Sequence, residues 1–190
     1  GWALDEDGSD EGTLTEIRLS AFTSPPEATQ EITAITNLDT TDTSNSDSVF
    51  EAWDATAAET IGDAAYGYQT AIRVYDALGN SHDVTIYYDK MNAATSEYAD
   101  GVVDTENTWE YIVTCDPTAD ERPGFAGMAQ QGILMRGTLT YNSSSGALDS
   151  ITAFTCDPAA DPSDNANWIA AADWSTDGYP EFTANFVNGV

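Results

Sequence analysis

Cations are nearly missing from this chain. Five Lys and Arg residues stand against 33 Asp and Glu in 190 residues, a formal charge of −28, and the single lysine is Lys90. Nucleic-acid binding works by neutralising phosphates with basic side chains, so this balance excludes a nucleic-acid partner. It equally excludes docking on an anionic membrane surface. No apolar run approaches the roughly 20 residues of a membrane-spanning helix, which leaves no membrane partner either. Histidine occurs once, at His82, and no Gly-x-Ser-x-Gly elbow accompanies it. Phosphate loops, dinucleotide fingerprints and metal-ligand spacings are lacking as well, so no cofactor is expected. A cleavable signal peptide and long-period repeats are also missing.

Cysteine is scarce too, but its placement is informative. Cys115 and Cys156 occur in the same phrase, Thr-Cys-Asp-Pro, each closing an apolar run. Asp-Pro is a stop and turn signal, so both thiols are placed at strand ends. Two readings stand: a Cys115–Cys156 disulfide outside the cytosol, or two small buried thiols.

What is plentiful is β-pattern. Thr15, Ile17 and Leu19 alternate with polar neighbours, as do Ile32, Ala34 and Leu38. Residues 68–75 are rich in β-branched and aromatic side chains with no Pro or Gly, and predict a strand. Gly79 and Asn80 make a turn, and residues 82–88 return with Val84, Ile86 and Tyr88 on one face. Trp109, Tyr111 and Val113 alternate with Glu110, Ile112 and Thr114. A second hairpin runs from Ile133 to Tyr141, through a small polar loop, and from Leu148 to Phe154; residues 181–187 read as a last strand. Residues 50–58 carry enough alanine for two helical turns but lack a cap. The stretches 39–48 and 157–167 read as exposed acidic loops inserted between strands. The expectation is an all-β protein, a single barrel- or sandwich-like domain of antiparallel hairpins with long acidic loops, spanning 13–190. Residues 1–12 read as a flexible acidic N-terminal segment, with Asp5 to Glu11 lacking the spacing of a calcium loop.

Enzyme chemistry finds no foothold. His82 and Asp83 are strand neighbours whose side chains point to opposite faces, so His82 is read as packing against or bonding to its turn. Carboxylate pairs for glycoside hydrolysis are uninformative when acids are this abundant. Five tryptophans and nine tyrosines raise a second class, a carbohydrate-binding β-sandwich of an extracellular protein. Its stacking candidates are Trp168 and Trp174, which lie in loop-like sequence; the other reading of the aromatics is core packing.

The run from Val74, Tyr75 and Asp76 through Leu78, Gly79 and Asn80 to His82 and the strand ending at Tyr88 resembles the outer β domain of the bacterial flagellar hook protein. There a strand ends in Val-Tyr-Asp-Ser-Leu-Gly-Asn, followed by His and a returning strand; Ala77 replaces the small hydroxyl here. Asn107 and Trp109 are similar to the family's next Asn-x-Trp strand. Gly137 to Leu148 is similar to a later hairpin, and residues 25–29 to its Pro-x-Ala-Thr entry segment. The paired Cys-Asp-Pro phrases and the acidic loops are not part of that pattern. The resemblance implies a non-enzymatic structural subunit of the hook, a flexible universal joint transmitting torque from motor to filament. It implies identical hook subunits in a helical polymer as partners, and an extracellular location reached by flagellar export without a cleaved signal peptide. It further implies a fragment without the terminal helical parts, monomeric in isolation.

Overall fold

Alternating apolar residues in consecutive runs, joined by tight turns, build a meander. The computed structural model describes residues 2–4, 10–14, 26–92 and 105–171, the first two stretches as backbone. Trp2–Leu4 (β1) pairs antiparallel with Asp10–Leu14 (β2), a two-stranded ribbon that overlaps residues 1–12, read from sequence as flexible, and extends past them. The main sheet holds Tyr68–Tyr75 (β3), Ser81–Lys90 (β4), Thr108–Thr114 (β5), Ile133–Tyr141 (β6), Leu148–Cys156 (β7) and Trp168–Ala170 (β8). Its order is β3-β4-β5-β6-β7-β8, every pair antiparallel.

The expected all-β class holds, while the sheet is open rather than closed into a barrel: β3 and β8 are its two ends and do not pair with each other. Because each strand reverses the last, the β3–β4 and β6–β7 turns fall at opposite ends of the sheet. Predicted strands 68–75 and 133–141 coincide with β3 and β6. The strand expected at 181–187, the alternating run 15–19, Trp174 and the candidate calcium segment Asp5 to Ser9 lie outside the described residues.

Both faces of the sheet are covered. One carries Val74, Val84, Ile86, Tyr88, Trp109, Tyr111, Val113 and Met135; the other carries Ile112 and Ile133, packed with Val49, Phe50, Trp53, Phe125 and Trp168 from the loops. In β5 every residue is buried, so the alternation of Trp109, Tyr111 and Val113 with Glu110, Ile112 and Thr114 belongs to a central strand covered on both sides.

Two elements differ from expectation for local reasons. Residues 50–58 form turns, not a helix: Asp54 Oδ1 accepts from Thr56 N at 2.8 Å and Thr56 Oγ1 at 2.6 Å, and Ala55 N donates to Ala129 O at 2.8 Å. Those bonds capture the groups a helix would need. The run Ile32 to Leu38 is no strand; it makes no ladder, and Ile32 and Leu38 lie against the first apolar face as isolated side chains.

Candidate functional site

The resemblance-bearing hairpin is organised around one carboxylate. Asp76 follows β3 and is buried, 6% exposed. Its Oδ1 accepts from Leu78 N and Asn80 N, both at 2.9 Å. Its Oδ2 accepts from Asn80 Nδ2 at 2.9 Å and lies 3.1 Å from His82 Nε2. Burial pushes this acid upward, but the bonds from Asn80, His82 and Leu78 outweigh it and hold Asp76 well below the usual carboxylate range. Gly79 sits at φ +85°, and a Cβ there would lie 3.0 Å from Pro26. Thr29 completes the clasp: its N–H donates to Tyr75 O and its Oγ1 accepts from Tyr75 N, both at 2.9 Å.

The spacing Asp-x-Leu-Gly-Asn-x-His thus has a physical content. An acceptor at 76 needs donors at 78, 80 and 82, and a residue free to take positive φ between them. His82 serves its turn, as read from sequence, and the next residue, Asp83, faces away to Arg73 Nε at 3.0 Å. Val74 is buried in the first face, while Tyr75 and Leu78 stand out in solvent at 49% and 59% exposure. Asn107 ends a short 3-10 turn directly before β5. Trp109 is buried in the first face at the far end of the sheet, its ring centroid 5.8 Å from that of Tyr68.

A second polar feature lies under the acidic loop. Asp89, Glu110 and Thr138 occupy one cross-strand row of the second face, all buried. Asp89 accepts from Asn45 N and Ser46 N at 3.0 Å and from Asn45 Nδ2 at 2.9 Å; Glu110 accepts from Val49 N at 3.3 Å. The loop read as purely exposed is therefore tethered at its C-terminal end by two strand carboxylates. Strand periodicity carried the signal: Asp89 and Glu110 fall in phase with Tyr87 and Ile112, on a covered face.

Among the described residues the other cations, Arg122, Arg136 and Lys90, are held within the fold. Arg122 and Asp120 form a fork, Nε to Oδ1 at 2.8 Å and Nη2 to Oδ2 at 2.7 Å, with both side chains 1% exposed. Arg122 Nη2 also donates to Ile133 O at 2.6 Å, and the guanidinium lies 3.5 Å from the Phe125 ring centre. Arg136 stacks on Phe50 and Trp168, 4.0 and 4.8 Å from their centres. Lys90 donates to Thr40 O at 2.6 Å beside an open cleft of about 600 Å³ lined by Asp42, Glu106, Asn107 and Ser143.

Cys115 and Cys156 are not paired: both are free, buried thiols, one in the cluster on each face of the sheet. Burial pushes Cys115 up to about 12, with the Asp120 charge adding to it, and raises Cys156 as well. Trp168, expected to be open to solvent, is buried at 5%, its Nε1 donating to Pro162 O at 2.8 Å. Among the described residues no group of three or more His, Cys, Asp or Glu is placed to hold a metal, and no helix is long and apolar enough to cross a membrane.

Residues 37–188 match the family model described as the flagellar basal body protein FlaE D2 domain, which covers the clasped hairpin and all six strands of the main sheet. The chain belongs to this family. No curated protein and no solved structure matches it. Membership in the hook-protein D2 family implies a structural role in the flagellar hook or basal body, assembly into a polymer and a place on the extracellular flagellum. The family is not known to be enzymatic. In this D2 domain the residues that carry the resemblance are thus a folding device: the Asp76 clasp fixes the hairpin and ties the incoming segment at Thr29 to it.

Proposed function

We propose that this domain is the surface-exposed part of a flagellar hook subunit, a flexible universal joint that transmits torque from motor to filament. The observation that carries the reading is the family match over 37–188, falling on a sheet stiffened by buried polar ties. A domain that repeats around a bending tube must keep its own shape while its contacts change. The Asp76 clasp and the Asp120–Arg122 fork supply internal rigidity, because each is satisfied by several short bonds. The charge of −28 supplies the opposite property outside. Like-charged neighbours repel, so contacts between identical subunits are wet, polar and weak, able to break and re-form as the tube bends. The partners are identical subunits in a helical polymer, outside the cell, and the isolated domain stays monomeric.

Antibody or gold labelling of an exposed loop position such as Ser163 tests this reading. Label distributed over the outer surface of hooks is the expected result; hooks left unlabelled in cells that make the protein would overturn it.

The carbohydrate-binding alternative loses its stacking platform in the described part. Trp53, Trp109 and Trp168 are all buried, so none presents a face to a sugar.

A further inference from the structure

The side-chain amides of Asn45, Asn80 and Asn167 are spent inside the fold, donating to Asp89, Asp76 and the Asp161 carbonyl, each at 2.9 Å. Asn142 is placed differently. It opens the β6–β7 turn, where residues 142–150 are all exposed. Its Oδ1 accepts from Ser144 N at 3.0 Å and Ser145 N at 3.1 Å. Its main chain closes the turn, N donating to Ala147 O and O accepting from Gly146 N, both at 2.8 Å. Among the described residues nothing accepts from its Nδ2. Asn142-Ser143-Ser144 is also the one place in the chain where a hydroxyl residue stands two positions after an asparagine. No proline intervenes, so the triplet is an acceptor sequence for N-glycosylation, with its hydroxyl residue in the required place. A sugar needs an amide nitrogen in solvent, room around it and a backbone that does not depend on that nitrogen. The turn is held through Oδ1 and the main chain, and a Cβ added at Gly146 would meet nothing within 4 Å.

We propose that Asn142 is an N-glycosylation site at the tip of the β6–β7 hairpin. The sugar donor is a glycosyl diphosphate. Nδ2 attacks the anomeric carbon, and the new C–N bond forms as the C–O bond to the diphosphate breaks. The diphosphate leaves on its carrier with the bonding electron pair, and Nδ2 gives up one proton to a base of the transferase. The product amide keeps Oδ1 as an acceptor, so the bonds from Ser144 N and Ser145 N survive the reaction. The Ser144 hydroxyl, which the acceptor pattern requires, is exposed and makes no hydrogen bond to a described residue, leaving it for the transferase to read. The attached sugar is bulky and hydrated, and it stands on a turn that no strand ladder passes through. The inference goes beyond the structural role above and leans on it only for the extracellular setting in which such acceptors are used.

The test captures the protein from isolated hooks and, separately, from whole cells that make it, and reads the tip peptide by mass spectrometry under fragmentation that retains sugars. A sugar increment assigned to Asn142 is expected. Asn142→Gln and Ser144→Ala each abolish it, while Ser144→Thr and Ser143→Ala keep it. Ser144→Ala retains the backbone donor to Oδ1, so loss of the sugar there reports the acceptor pattern and not the turn. Transfer to unmodified protein by the soluble fraction of those cells marks a nucleotide carrier for the diphosphate, and by the membrane fraction a lipid one. A tip peptide found solely at its unmodified mass in both pools would overturn the site. So would a sugar that survives Asn142→Gln, which would place it on a serine hydroxyl. Absence of the protein from hooks, with the sugar present in the whole-cell pool, would remove the hook reading and leave the site standing.

Discussion

His82 Nε2 lies 3.1 Å from Asp76 Oδ2, closing a turn whose backbone donors at Leu78 and Asn80 point at the same carboxylate. Removing that carboxylate leaves four donors facing a void. Asp76→Ala is expected to lower Tm by about 5 °C or more, read by circular dichroism. Asp76→Asn, which keeps the shape and loses the charge, is expected to fall between. The sign with pH follows from the direction of the shift. Asp76 is held below its unfolded value, so its contribution is full above about pH 4 and is lost as pH falls through the depressed value. Acid titration of stability is therefore steeper for the unaltered protein than for Asp76→Asn; equal slopes would remove the carboxylate from this role.

The Asp120–Arg122 fork is the deepest ion pair among the described residues. Asp120→Asn strands a guanidinium in the core and is expected to cost about 3–5 kcal/mol in urea unfolding. Arg122→Met costs a similar amount by stranding the carboxylate. The double change Asp120→Leu with Arg122→Met is expected to cost less than the sum, because the uncompensated charge disappears. An additive cycle would mean the two groups do not depend on each other.

Thiol titration separates the two cysteines from a disulfide. Two thiols react under denaturing, non-reducing conditions, and neither reacts promptly in the folded protein at pH 8. Cys115, pushed up to about 12 by burial and the Asp120 charge, favours the folded state while protonated. That contribution is intact below about pH 8.5 and is lost as pH rises from there towards 12. Fewer than two thiols after denaturation would reinstate a disulfide.

Gly137 lets β6 and β7 meet under an aromatic hydroxyl. A Cβ there would run into Thr152 O and sit 3.0 Å from the Tyr111 hydroxyl, which itself donates to Thr152 O at 2.8 Å. Gly137→Ala is expected to destabilise by about 2–3 kcal/mol, and Tyr111→Phe by about 1 kcal/mol, in denaturant melts. An Ala variant as stable as the parent would show that the strands give way freely.

Salt is expected to strengthen association. Sedimentation of the full-length, polymer-forming subunit between about 0.1 and 1 M salt, where screening shortens from about 10 to 3 Å, gives a larger assembled fraction at the high end. No response would discard repulsion as the term that keeps the contacts weak.

Strands β3 to β7 were legible because their alternation is strong and their turns carry Gly, Asn and Asp at the right offsets. The purpose of Asp76 was not legible from composition: among 33 acids one buried carboxylate does not stand out until its donors are seen to converge. The 50–58 stretch misled because alanine content favours helix while Asp54 and the Ala129 carbonyl compete for the same backbone groups. Trp168 misled because its neighbours are polar loop residues; the three residues of β8 are too short to show a period, yet pairing with β7 buries the indole.

Two of the five cations, Arg122 and Arg136, lie inside, flat against Phe125, Phe50 and Trp168. There they act as planar core spacers, withdrawn from the exterior where they could have bridged one copy to another. Asp76, Asp89, Glu110 and Asp120 are buried as well, so these withdrawals leave the acid excess essentially intact, and to an approaching ion the domain is a small cation-exchange bead.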